Sequence, residues 1–378
     1  MSGTFQLGRL FGIDIRFHFS WIFIFLLVAW SLAGSFLPQR YPGWSTSTYW
    51  IVGIIGSVLL FASVLVHELS HSLVAVSRGY KVRGITLFFL GGVSEIEEEA
   101  VKASEEFWIA VVGPLTSLVL AAIFWVLLRV NPGGSPQAEA LFQYLAIINL
   151  VLAVFNLIPA FPLDGGRVLK AAVWQTTGSL SRANAVAATI GSLLGFTMIG
   201  IGIVVAFVTR NFFSGLWLVF IGWFIQSAAS SSRQQQAMHT ALTGRLARDA
   251  MQQEIPTVEP GIRVQALVDE YISKEFQRAY IVSLGDSFRG LVSISDVKKV
   301  PPEERASKYV TEIMTRASEV ITVRPNDPLE GALQKLTAND INQLVVVENG
   351  KPVGIITRRD ILVVLEISEL LPERARPT

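Results

Sequence analysis

The chain contains no cysteine. That excludes disulfides and every thiolate-ligated metal site, leaving His, Asp and Glu as candidate ligands. Charge is also scarce. Only 16% of the 378 residues are charged and 51% are hydrophobic, too apolar for an ordinary soluble protein of this length. The scarcity is uneven: charge is thin up to about residue 232 and dense after it, so two parts with different solvents are expected. The formal net charge of +1 offers no basic surface for nucleic acid. The apolar run from Phe19 is too long for a cleavable leader and lacks an obvious cleavage site.

Long apolar runs dominate what is present. A membrane span needs roughly 20 apolar residues. Windows near Phe19–Leu37, Tyr49–Val76, Phe107–Leu128, Leu141–Pro159, Ala185–Val208 and Phe212–Ser230 qualify. Ahead of them, Phe11, Ile13, Ile15 and Phe17 alternate weakly, as in a short strand or an interfacial segment. Between the second and third windows, an apolar run from Ile85 to Leu90 meets Gly91-Gly92, which predicts a β-hairpin or re-entrant loop with a glycine turn. The acidic run Glu95, Glu97, Glu98 and Glu99 predicts a solvated face.

With six spans both ends share one side. Arg9, Arg16, Arg78, Lys81, Arg83, Lys102, Arg167, Lys170, Arg182 and Arg233 fall on that side, against Arg40, Arg129 and Arg210 opposite. The positive-inside rule then predicts that both termini are cytoplasmic. The expected location is a bacterial-type cell membrane, which the chain crosses several times.

The second window carries His67-Glu68-Leu69-Ser70-His71, an HExxH motif. Histidines four apart share one helix face and can hold one metal ion. Glu68 between them can take a proton from a water at that ion. Ionisable groups in a membrane helix are costly and are functional by default. His67 lies about 11 residues, roughly 16 Å of helix, from Arg78, which puts the motif nearer the cytoplasmic face. A hydrolytic zinc site wants a third ligand. The candidate is Asp164, where Pro159 and Pro162 break the fourth window and let a carboxylate turn inward. Gly191-x-x-x-Gly195 predicts close helix packing, and His18 and His239 are left outside the site.

At this point the chain resembles the site-2 protease family of intramembrane metalloproteases. The residues that carry the resemblance are His67-Glu68-Leu69-Ser70-His71, Gly91-Gly92, Gly113-Pro114 and Asn156…Pro159…Pro162-Leu163-Asp164-Gly165, with Arg16-Phe17-His18-Phe19-Ser20 near the start. It covers most of residues 1–230. The resemblance implies one zinc per chain on His67, His71 and Asp164, with Glu68 as general base. It implies that Asn156 helps hold substrate or the oxyanion, and that the hairpin at Gly91 and Gly92 offers an edge strand to the substrate. Transmembrane segments of other proteins, in the lipid bilayer, are the implied substrates.

After a Gln- and Ser-rich stretch, the tail repeats at an offset of about 64 residues. Thr257-Val258-Glu259-Pro260 matches Thr322-Val323-Arg324-Pro325, and the run from Gly290 to Asp296 matches that from Gly354 to Asp360. Met251 corresponds to Met314. Each unit reads helix, strand, strand, helix, and the two bury their sheets against each other. This resembles a tandem pair of CBS domains. The resemblance implies an adenine nucleotide held by Ser293 with Asp296 and by Thr357 with Asp360, the basic Arg358 and Arg359 favouring the second turn. CBS pairs also serve as dimerisation modules, so a homodimer through the tail is a further expectation.

The fold class expected is therefore an α-helical polytopic membrane protein, with about six transmembrane helices and a small β-hairpin element, plus a cytoplasmic α+β tandem CBS domain. The expected divisions are residues 1–230 for the metalloprotease domain, 231–243 for a linker, 244–305 for the first CBS domain and 306–370 for the second. The expected function is zinc-dependent intramembrane proteolysis, with nucleotide control through the tail. The competing reading is a metal transporter or channel gated by the tail. Against it, a transporter has no use for a base between its histidines and spreads its polar groups along a pathway.

Overall fold

The computed structural model describes residues 3–97, 99–130, 134–210, 212–275, 277–285 and 287–370. The described residues divide into two compact units, one up to residue 234 and one from residue 235 onward.

The chain opens with strands β1 (Thr4–Leu10) and β2 (Ile13–His18), joined at Phe11 and Gly12, both with positive φ as a tight hairpin requires. Among the described residues, six helices are long and apolar enough to cross a membrane. They are α1 (Ser20–Arg40), α2 (Thr46–Ser77), α3 (Ala103–Val130), α4 (Pro136–Asn156), α6 (Leu180–Val208) and α7 (Phe212–Leu242). Between α4 and α6 lies a shorter amphipathic helix, α5 (Asp164–Thr177). The long helices turn residues such as Phe23, Leu26, Ile54, Val58 and Val119 outward. Such a surface suits hydrocarbon, where apolar area gains nothing by hiding and close packing does the joining. Small residues accordingly line the contacts. A Cβ on Gly53 would lie 3.1 Å from the Ala29 carbonyl, and one on Gly195 would lie 2.7 Å from the Gly222 carbonyl.

Strands β3 (Val82–Phe88) and β4 (Gly91–Ile96) follow α2 and complete a sheet of order β1-β2-β3-β4. Strand β2 runs parallel to β3, and β4 is antiparallel to it. Ile13, Ile15, Phe17, Ile85 and Leu87 form the inner face and pack on Val64, Leu65 and Leu69 of α2. The sheet is thereby pressed against the HExxH turn. The expected glycine turn is displaced by two residues: Phe89 and Leu90 make it, while Gly91 and Gly92 open β4 opposite Phe88 and Leu87. The acidic run is not simply solvated. Glu95 pairs with Arg16 at 3.1 Å and accepts from Thr86, and Glu97 pairs with Arg83 at 2.8 Å. Glu98 lies outside the described residues.

The described residues of the second unit hold two sheets. One has the order β5 (Thr257–Val258), β6 (Ala279–Leu284), β7 (Ser287–Ser293), β8 (Thr315–Arg316). The other has the order β11 (Lys351–Thr357), β10 (Gln343–Glu348), β9 (Thr322–Val323). Alternation along the strands sorts their side chains. Ala279, Ile281 and Leu291 meet Val345 and Ile355 between the sheets. Tyr280, Val282 and Val292 pack on the helical residues Val264 and Leu267. Leu344, Val346 and Ile356 pack on helix α9 (Leu329–Ala338), where α8 (Ile294–Lys298) and α10 (Arg358–Leu370) are the helices that follow β7 and β11. The leading segments are exchanged: Leu242, Ala247 and Ala250 join the second repeat's core, and Val310 and Met314 join the first's.

Candidate metal centre

Helix α2 needs no special device to present its motif. Ser45 caps its first turn by accepting from the Thr48 N–H, and the helix then runs unbroken for 32 residues. Positions 67 and 71 are one turn apart, and both histidines are 3% exposed. The third candidate arrives differently. Helix α4 ends at Asn156, residues 157–163 pass through turns containing Pro159 and Pro162, and Asp164 is the first residue of α5. Glycines allow this crowding. A Cβ on Gly165 would collide with the Leu157 and Ile158 carbonyls, and one on Gly166 with the backbone of Ala160 and Phe161.

Three ligand atoms converge. His67 Nε2 lies 3.1 Å from Asp164 Oδ2, His71 Nε2 lies 3.3 Å from the same oxygen, and the two Nε2 atoms are 3.2 Å apart. The outer nitrogens are occupied elsewhere. His71 Nδ1 donates to the Ile109 carbonyl at 2.6 Å, and His67 Nδ1 shares a 2.9 Å hydrogen bond with Ser117 Oγ. With a proton on each Nδ1, each Nε2 presents a lone pair toward the Asp164 carboxylate. Lone pairs brought together in this way repel unless a cation lies among them. At zinc–ligand distances of about 2.0–2.1 Å, tetrahedral ligands stand about 3.3 Å apart, so the donor set fits that ion. No other group of three or more His, Cys, Asp or Glu residues among the described residues is similarly gathered.

Glu68 sits beside this set. The Ser94 hydroxyl on β4 lies 3.0 Å from Glu68 Oε2 and 3.1 Å from the Glu68 carbonyl, and Ser72 donates to Ser94 at 3.1 Å. A Cβ on Gly92 would collide with Glu68 Cγ. Alternation on β4 therefore turns positions 92 and 94 toward the motif. Helix α3 closes the other side, where a Cβ on Gly113 would collide with His71 Nε2 and would sit 2.8 Å from His67 Cε1.

The structure thus brings His67, His71, Asp164, Glu68 and Gly92 together, with Gly91 next in β4. Asn156 is half-buried at the end of α4, and no hydrogen bond of its side chain to the cluster is present among the described residues. In the tail, Ser293 and Asp296 bond each other, as do Thr357 and Asp360, each pair closing the first turn of the next helix. The sequence reading missed Ser94, Ser117, Glu106 and the Ile109 carbonyl. Helical spacing from Gly113 is the one signal that bears on those in α3.

Residues 55–136 and 133–200 match the profile of peptidase family M50, and residues 310–367 match the CBS domain profile. The chain is 34% identical over 374 residues to Rip3 of Mycobacterium tuberculosis, covering 98% of this chain and 95% of that protein. It is 33% identical over 371 residues to sll0528 of Synechocystis, covering 97% of each. Both are described as "putative zinc metalloprotease". Among solved structures, the site-2 protease from Methanocaldococcus jannaschii is 29% identical, covers 61% of this chain and 95% of its own, and gives a TM-score of 0.42.

Proposed function

This chain belongs to peptidase family M50, and we propose that it hydrolyses peptide bonds within or beside the transmembrane segments of other membrane proteins. The observation that carries the reading is the convergence of two imidazole nitrogens and one carboxylate oxygen at 3.1–3.3 Å beside the Glu68 carboxylate. His67, His71 and Asp164 would hold zinc. When bound, zinc supplies a Lewis acid that polarises the scissile carbonyl and makes water a competent nucleophile near neutral pH. Glu68 takes the proton of the attacking water and returns it to the leaving amine. Ser94 holds the Glu68 carboxylate on the side of β4.

A helical substrate shields its own peptide bonds, so it must unwind before attack. Strand β4 is terminal in its sheet, and the opened backbone can add to that edge next to Gly91 and Gly92. Asn156 is assigned to hold substrate or the oxyanion, supported by its place at the mouth of the loop leading to Asp164. The excess of Lys and Arg on one set of loops supports cytoplasmic termini. The tail is assigned an adenine nucleotide at the two strand-to-helix turns, Ser293–Asp296 and Thr357–Asp360, with control of the peptidase as its purpose.

Replacing Glu68 tests the core of this reading. The Glu68→Gln protein should keep its zinc, measured on purified protein, while kcat falls by about 10²–10⁴-fold. A Glu68→Gln protein that cleaves at the original rate would refute the assignment.

A further inference from the structure

Among the described residues, Glu106 is the only Asp, Glu, Lys or Arg that is fully buried, at 3% exposure. A carboxylate so placed is costly unless it is paired. Its partners are both on α5: Arg167 Nε donates to Oε1 at 3.0 Å and an Arg167 terminal nitrogen to Oε2 at 3.3 Å, while Lys170 Nζ stands 3.7 Å from Oε1. The Arg167 contact is two-pronged, which fixes direction as well as distance. Arg167 lies one turn after Asp164 on the same helix, so the two residues share a face of α5.

The other end of the tie is equally placed. Glu106, Ile109, Gly113 and Ser117 follow one another at helical spacing, so they share one face of α3. Ile109 accepts from His71, Gly113 admits both imidazoles, and Ser117 bonds His67. Glu106 adds the third ligand's helix to the same stripe. Asp164 otherwise hangs at the end of an irregular stretch, and no side chain caps the start of α5.

We propose that Glu106 is a positioning residue. Through Arg167 and Lys170 it holds α5 against α3 so that the Asp164 carboxylate reaches both histidines. This deepens the zinc reading above and rests on it.

The test is zinc affinity of the full-length protein, by competition with a chromophoric chelator, alongside kcat, KM and thermal melts with and without zinc. The variants are Glu106→Asp, Glu106→Gln and the double Glu106→Gln/Arg167→Gln. The double change removes the buried anion and its main cation together, which folds more readily than a lone buried charge. Glu106→Gln and the double variant should bind zinc about 10–100-fold more weakly with KM unchanged. Glu106→Asp, which keeps the charge but withdraws it by one methylene, should fall between, and it carries the comparison if Glu106→Gln does not fold. Wild-type zinc affinity in the folded variants overturns the proposal, and so does a lowered melting temperature with unchanged affinity. A wild-type chain that binds no zinc removes the reading of the site itself and this inference with it.

Discussion

One methyl group on α3 is enough to push the imidazoles off their common point. A Cβ at position 113 would collide with His71 Nε2, which cannot retreat because its other nitrogen is held by the Ile109 carbonyl. Gly113→Ala should therefore cost zinc affinity at least tenfold, read by chelator competition. Ser117→Ala is milder: it removes the hydrogen bond that orients His67 without adding bulk, and a 10–100-fold loss of zinc affinity is expected. Unchanged affinity in both would show that α3 does not organise the ligands. The same residues explain what was readable in the sequence. His67 and His71 are legible because one helix turn holds both. Ser117 and Glu106 act across a helix contact, and nothing in one sequence distinguishes an inward serine from any other in an apolar run.

Strand β4 is where Glu68, the proposed base, meets the sheet. Gly92 lies against Glu68 and Ser94 bonds its carboxylate, while Val93 between them faces outward at 46% exposure. Gly92→Ala should displace Glu68 but not His67, His71 or Asp164. The expected signature is a fall in kcat of about tenfold or more with zinc retained, the reverse of Gly113→Ala. Zinc loss in Gly92→Ala would mean that β4 supports the ligands and not the base. At this scale the spans were legible, because an apolar run of about 20 residues has one economical fate in lipid. Helix α5 was not: at 14 residues and amphipathic, it gives no hydropathy signal. The Gln- and Ser-rich stretch after residue 230 was expected as a linker, yet α7 continues to Leu242. Gln, Arg, Ala and Met are good helix formers, and polarity alone does not end a helix.

The tail shows the repeat most plainly at two glycines 64 positions apart. A Cβ on Gly290 would lie 3.2 Å from Met314 Sδ, and one on Gly354 would lie 2.8 Å from Met251 Sδ. Each methionine precedes one repeat and packs on the other, an exchange that repeat spacing alone could not disclose. The two acidic turns are as symmetric. Asp296 accepts from the Ser293 N–H and hydroxyl, and Asp360 from those of Thr357 and from Gln252 at 2.7 Å. These bonds alone explain the acids as helix caps, contributing about 1 kcal/mol each. A nucleotide role demands more: a ribose or phosphate must compete for the same hydroxyls, and binding must then stabilise the folded tail. At a hundredfold excess over Kd that stabilisation is about 2.7 kcal/mol, large enough to raise the melting temperature of the second unit by several degrees. ATP, ADP and AMP should each be titrated against the melt and against the peptidase rate of the full chain. A nucleotide-dependent melt that Thr357→Ala abolishes is the expected outcome. A melt and a rate that ignore all three nucleotides would leave both acids as caps and the tail without a ligand at these turns.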